Sequence, residues 1–327
     1  MIFIEQNLDK NLNIIFSIKE GNLSAVQHCI DQGVSVNYLG MWGNTPLIVA
    51  CQYQKLDIAI YLLSIKEIDV HHRNERQVTA LVYACLEGTV VFNWSLPTLD
   101  SIIGLTPVVQ ILMEKGALLD VPPCKVYSSV LDRTLECTPI SASILHGHDA
   151  VVQLFLDYGF PIDYKFPFTV LKSFQVSSVK DILGTWITFI VYWMTFTTGI
   201  NLLQYACFCG QVNIVNDLIS RGVDIEYRDS NLNSFLHFAC RSFANTGDNI
   251  AAMSFEFLLS IEELLQSLIS PYTTATQVLN QADCQGNTPL HVLCLNTLKS
   301  QSPVKLLLEF GADPNLQVSD IPSLWIF

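Results

Sequence analysis

One short theme, Thr-Pro-Leu-His or a worn form of it followed by Ala-Cys, returns along this chain and constrains its fold more than any other feature. The clearest copies are Thr45-Pro46-Leu47-Ile48-Val49-Ala50-Cys51 and Thr288-Pro289-Leu290-His291-Val292-Leu293-Cys294. Weaker copies begin at Thr79, Thr138, Asn201 and Ser234. The intervals between successive copies are 34, 59, 63, 33 and 54 residues. Two equal one period of about 33 residues, and the other three equal one period plus an insertion of roughly 20–30 residues.

Each part of the unit has a physical reason. Gly-Asn before Thr suits a tight turn, because Gly accepts positive φ and Asn tolerates it. Thr45 or Thr288 serves as an N-cap, and the Pro after it occupies the first helical position, where its missing N–H costs nothing. A Leu/Ile-rich second helix buries one face at helical spacing. Gly33, Gly116, Gly159, Gly222 and Gly311 then end that helix as left-handed C-cap residues. One such helix pair cannot bury its apolar face alone, so neighbours must stack into a continuous core.

The unit resembles the ankyrin repeat. The resemblance is best carried by Asp283-Cys284-Gln285-Gly286-Asn287-Thr288-Pro289-Leu290-His291 and then Pro303 to Asn315. The second half alone appears from Leu23 to Asn37, which supplies a capping repeat before Thr45. The expected fold is all-α: a curved α-solenoid of about seven helix-turn-helix repeats. It spans residues 11–315, after an N-terminal extension (1–10) and before a non-repeat tail (316–327). Insertions fall near 88–106, 122–133, 166–198, 241–261 and 270–277. Similarity to ankyrin proteins also implies that His237 and His291 bond the turn backbone.

Composition sets limits. Half of the 327 residues are hydrophobic, only 14% are charged, and the formal net charge is −13. Nucleic-acid binding calls for basic patches on phosphate, so it is disfavoured. An acidic surface keeps the chain soluble and favours basic partners. Of ten cysteines, Cys51, Cys85, Cys207, Cys240 and Cys294 share one repeat position, where a small apolar side chain packs against the next unit. Cys207 and Cys209 lack zinc-site spacing, and Cys29, Cys124, Cys137 and Cys284 show no pairing signature. Many thiols without a framework point to a reducing, cytoplasmic setting. His71 and His72 lie in a turn without further ligands at metal spacing, so no metal and no cofactor is expected.

The stretch 182–200 carries no charge and has the length of a membrane span. Five Thr and two Gly weaken that reading, and a single span would put flanking repeats on opposite sides of the bilayer. One reading is an apolar loop or helix packed on the array, or a flap that touches membrane or partner. Gln175-Val176-Ser177 and Gln317-Val318-Ser319 both interrupt a good repeat abruptly. Residues 176–198 and 318–327 are therefore also read as retained intron sequence, in which case the natural array continues past Phe327.

Phosphate loops, nucleophile elbows, His-Glu-x-x-His and EF-hand loops are missing from the sequence. Glu262-Glu263 reads as a helix-surface pair, not a catalytic one. The expected function is a non-enzymatic, monomeric scaffold that binds protein partners on the concave face, made of turn tips and first helices. The alternative is the ankyrin region of a larger membrane protein or enzyme, of channel or acyltransferase type. Partner-contacting residues expected on the tips are Tyr38, Trp42, His72, Arg73, Arg76, Tyr227, Arg228 and Gln285, with Gln52 and Phe208 from first helices.

Overall fold

Thr45 starts its helix as the repeat requires. Its hydroxyl accepts the Ile48 N–H at 3.3 Å, and Pro46 follows in the first turn. A computed structural model describes residues 13–86, 105–128, 133–167, 199–242, 278–296 and 302–316. The chain divides into two units, Met1–Phe160 and Pro161–Phe327.

In the first unit, helical residues 13–20 precede α1 (Leu23–Asp31). A 3-10 turn (Met41–Gly43) leads into α2 (Pro46–Gln52) and α3 (Leu56–Ser64). Then follow α4 (Ala80–Leu86), α5 (Thr106–Glu114), strands β1 (Cys124–Ser128) and β2 (Arg133–Cys137), α6 (Pro139–Leu145) and α7 (Asp149–Asp157). First helices α2, α4 and α6 pack in one row, and second helices α1, α3, α5 and α7 pack in another. Helices of seven to nine residues are marginal by themselves, so this stacking holds them. Every residue of α4 is buried, whereas the second helices bury one stripe, such as Ile58, Ala59, Leu62 and Leu63 of α3. A fully buried Leu or Ile contributes about 1.5–3 kcal/mol.

The second unit repeats the plan with α8 (Leu202–Phe208), α9 (Val212–Ser220), α10 (Phe235–Ser242), α11 (Pro289–Asn296) and α12 (Ser302–Glu309). First helices α8, α10 and α11 form its row. The five glycines expected to close second helices do so, with φ between +80° and +100°.

Four helix starts share a device. The third residue of the helix receives the N–H of the capping residue: Ser141 from Thr138, Gln204 from Asn201, His237 from Ser234 and His291 from Thr288. The histidines of the repeat theme are thus capping-box members, which satisfies a buried backbone donor.

Two segments differ from the sequence expectation. The insertion near 122–133 contains an antiparallel β-ribbon, with Cys124 opposite Cys137 and Lys125 opposite Glu136. The third insertion, expected to open at Phe166, leaves Phe166 in the repeat. Its N–H donates to Ile200 O at 2.8 Å, and its buried ring lies 4.6 Å from that of Tyr205. Residues 168–198 and 317–327, which hold most of the uncharged stretch and the tail, lie outside the described residues, as do 243–277. Among the described residues no helix is long and apolar enough to cross a membrane.

Candidate interaction site

The turns before three first helices, α4, α10 and α11, are each built on one residue five positions ahead of the capping Thr or Ser. Asn74 Oδ1 accepts the Arg76 and Val78 N–H groups at 3.0 and 2.9 Å. Asp229 Oδ1 accepts from Asn231 and Asn233, and Asp283 Oδ1 from Gln285 and Asn287, all at 2.7–3.0 Å. These carboxylates and amides shape the fingers that carry the tip side chains. The sequence signal was present as Asn or Asp at a constant offset, but the repeat theme alone did not single it out. The residue two before the cap is left-handed ahead of five first helices: Gly43, Gln77, Gly199, Leu232 and Gly286. Glycine suits three of them, while Gln77 and Leu232 take the same conformation despite a Cβ.

The first finger departs from this plan. Gly40 stands where the others have Asn or Asp, and a 3-10 turn replaces the side-chain bonds. Trp42 is left-handed at φ 64°, and its side chain is 57% exposed. Met41 beside it is 81% exposed and Leu39 is 57% exposed. The next finger braces this tip. Glu75 N–H donates to Trp42 O at 3.1 Å, His72 Nε2 lies 2.8 Å from Gly43 O, and Asn74 Nδ2 donates to Asn44 Oδ1 at 2.7 Å. The Arg76 guanidinium sits 5.6 Å from the centre of the Trp42 ring. Arg73 helps line a small cleft with Val70, His71, Leu118 and Val121.

Among the expected contact residues, the structure therefore gathers Trp42, His72 and Arg76, with Arg73 on the same finger. Tyr38 is half-buried at the base of the first finger, and Gln52 is half-buried at the end of α2. His72 is occupied by the Gly43 carbonyl, so it braces the tip. In the second unit Tyr227 is anchored by its hydroxyl, which donates to Gly199 O at 2.6 Å, with Lys165 Nζ 4.7 Å from its ring centre. Arg228 is occupied by backbone carbonyls of Leu232 and Ala282. Gln285 is exposed. Phe208 requires correction: it is only 4% exposed, because every residue of α8 is buried where the helix packs on α9 and α10. It belongs to the core. Sequence reasoning did not single out Leu39 and Met41, which are exposed.

The remaining titratable groups are structural. His237 Nε2 meets Asn287 O at 3.0 Å, and burial, with Arg241 nearby, lowers its pKa to about 3. Burial lowers His146 and His148 to about 4. Burial pushes the Cys51 and Cys85 thiols up to about 12. Cys124 and Cys137, which showed no pairing signature in sequence, face each other across the ribbon as free thiols. Cys294 is exposed, unlike its four repeat equivalents, because among the described residues no further first helix stacks on α11. Among the described residues no group of three or more His, Cys, Asp or Glu could hold a metal ion.

Residues 14–94 and 203–318 match a family model described as ankyrin repeats (3 copies). The chain belongs to the ankyrin repeat family. An ankyrin repeat protein of Rickettsia felis is 33% identical over 123 residues, which is 38% of this chain and 27% of that protein. The chain thus matches about a quarter of that relative's length. The crystal structure of the human ASB11 ankyrin repeat domain is similar with a TM-score of 0.57 at 20% identity, over 92% of this chain and 98% of that one. That likeness concerns the fold. Ankyrin repeats generally act as protein–protein interaction modules, and ankyrin domains are typically non-enzymatic.

Proposed function

We propose that this ankyrin chain is a non-enzymatic scaffold, and that it holds a protein partner on the finger tips of its first unit. The observation that carries the reading is Trp42. A large aromatic ring stands exposed on a left-handed backbone, fixed from below by the Glu75 N–H bond. Strained backbone of this kind concentrates at functional sites, and exposed Trp and Arg are the usual energetic anchors of an interface. Met41, Arg73 and Arg76 complete the surface, and Tyr38 and Gln52 border it. The finger tips of the second unit, with Gln285, offer a secondary contact. The protein acts as a monomer in a reducing compartment such as the cytoplasm; its ten free cysteines support the second point.

The test is affinity capture followed by mass spectrometry, comparing the wild type with a Trp42→Ala, Arg76→Ala double variant. A specific set of proteins lost from the variant, with helicity unchanged by circular dichroism, is the expected result. Identical capture profiles would refute the surface.

A further inference from the structure

The partner's chemistry can be read from two arginines that stand beside an exposed aromatic ring without a carboxylate. The protein has 30 acidic and 17 Lys or Arg residues, so carboxylates are abundant. Four of them pair with a cation among the described residues. Arg221 pairs with Asp217 at 3.0 Å, Arg241 with Asp283 at 3.7 Å, Lys125 with Glu136 at 3.5 Å and Lys305 with Glu309 at 3.6 Å. Arg228 is bonded to two carbonyls. Arg73 and Arg76 have no carboxylate partner among the described residues, and both stand on the finger that supports Trp42. Glu75 lies between them, which leaves this finger tip at net +1 in a chain of net −13. Arg76 lies beside the exposed Trp42 ring, whose chain neighbours Met41 and Leu39 are also exposed, and Arg73 lines the small cleft with exposed Leu118.

We infer that the occupant of this surface is an acidic protein segment that carries apolar side chains. The inference rests on the proposed interaction surface and names what fits it. Carboxylates of the segment meet Arg73 and Arg76, where each planar guanidinium donates paired hydrogen bonds to them. Its apolar side chains cover Met41 and Trp42. This reverses the expectation of a basic partner, which rested on net charge. Whole-chain charge governs solubility and long-range steering, whereas the charges at the contact decide which partner fits. A basic segment would face two guanidiniums here. A nucleic acid needs several phosphates neutralised, and two cations with a carboxylate between them do not supply that.

The experiment is fluorescence anisotropy on the full chain with labelled 12-residue probes. One peptide carries Glu and Asp around one Leu and one Phe; matched peptides replace the acids by Lys or by Gln, and a single-stranded oligonucleotide is a fourth probe. The acidic apolar peptide should bind about tenfold or more tighter than the Lys peptide, and should weaken as salt rises. An Arg73→Glu, Arg76→Glu variant should invert that order while keeping its helicity. Preference for the Lys or Gln peptide, equal binding of the oligonucleotide, an unaltered order in the variant, or no binding by any probe overturns the inference. Preference for the Lys peptide that still requires Trp42 would remove the acidic partner and leave the interaction surface standing. A Trp42→Ala, Arg76→Ala variant with full capture would remove both.

Discussion

Arg241 and Asp283 meet inside the second unit. Arg241 Nη2 stands 3.7 Å from Asp283 Oδ2 and donates to Asn233 Oδ1 at 2.8 Å. Asn233 in turn donates through Nδ2 to both oxygens of Asp229. One guanidinium at the end of α10 therefore ties together the fingers on either side of it. Removing one member of a buried pair strands the other, at a cost of about 3–5 kcal/mol. Arg241→Met should lower the urea stability of the second unit by that amount. Arg241→Met with Asp283→Asn should recover part of the loss, and a strictly additive double variant would contradict the pairing.

The left-handed residues Gln77 and Leu232 predict the opposite sign. Each holds a Cβ where the backbone favours glycine, at about 1–2 kcal/mol, and glycine returns about half of that as unfolded-state entropy. Gln77→Gly and Leu232→Gly should each stabilise by up to about 1 kcal/mol in thermal or urea melts. The same sign is expected at position 42: Trp42→Gly should leave stability level or raised while partner capture falls. A loss of stability in all three variants would show that the φ values carry no strain.

Thiol accessibility follows the burial pattern. Cys284 and Cys294 are exposed, Cys209 is half-buried and the other seven are buried. A disulfide reagent should titrate about two thiols rapidly in the native protein at pH 7–8 and all ten in denaturant. Rapid reaction of Cys51 or Cys207 would mean that the first-helix rows are open.

Stability should decline below neutral pH. His146 and His148 titrate near 4 and His237 near 3 in the folded chain, against about 6.5 when unfolded. The unfolded chain therefore binds more protons as pH falls below 6.5, and the histidine contribution, fully present above that value, is lost toward pH 4 and below. The slope is at most about 1.4 kcal/mol per pH unit for each histidine. Burial raises Asp229 and Asp283, so their contribution has the reverse sign: it is present at low pH and lost as pH rises through their folded pKa. Melting temperatures from pH 7.5 to 5 should fall, and a His237→Gln variant should show a shallower fall. A flat profile would mean that these rings are solvated.

The helix pairs were legible because their cues are local: a capping Thr, a Pro one residue on, a Gly at the far end. What lay beyond the theme depends on chain segments meeting in space. Arg241 looked like the start of an insertion, since nothing in its neighbourhood names Asp283 as a partner. Cys124 and Cys137 face each other only once the ribbon has formed. Phe208 and Arg228 sit at positions where a repeat usually shows side chains to solvent, and here packing and backbone carbonyls claim them. Trp42 and Arg76 were legible as tip residues; that two arginines would lack carboxylates in so acidic a chain was not.

The Glu75 N–H bond to the Trp42 carbonyl joins two fingers through main chain alone. No side chain of the tip takes part in it, so Met41, Trp42 and Arg76 can be exchanged without loosening the joint. Over evolutionary time the molecule can change what it recognises while keeping its frame, much as a handle accepts different blades.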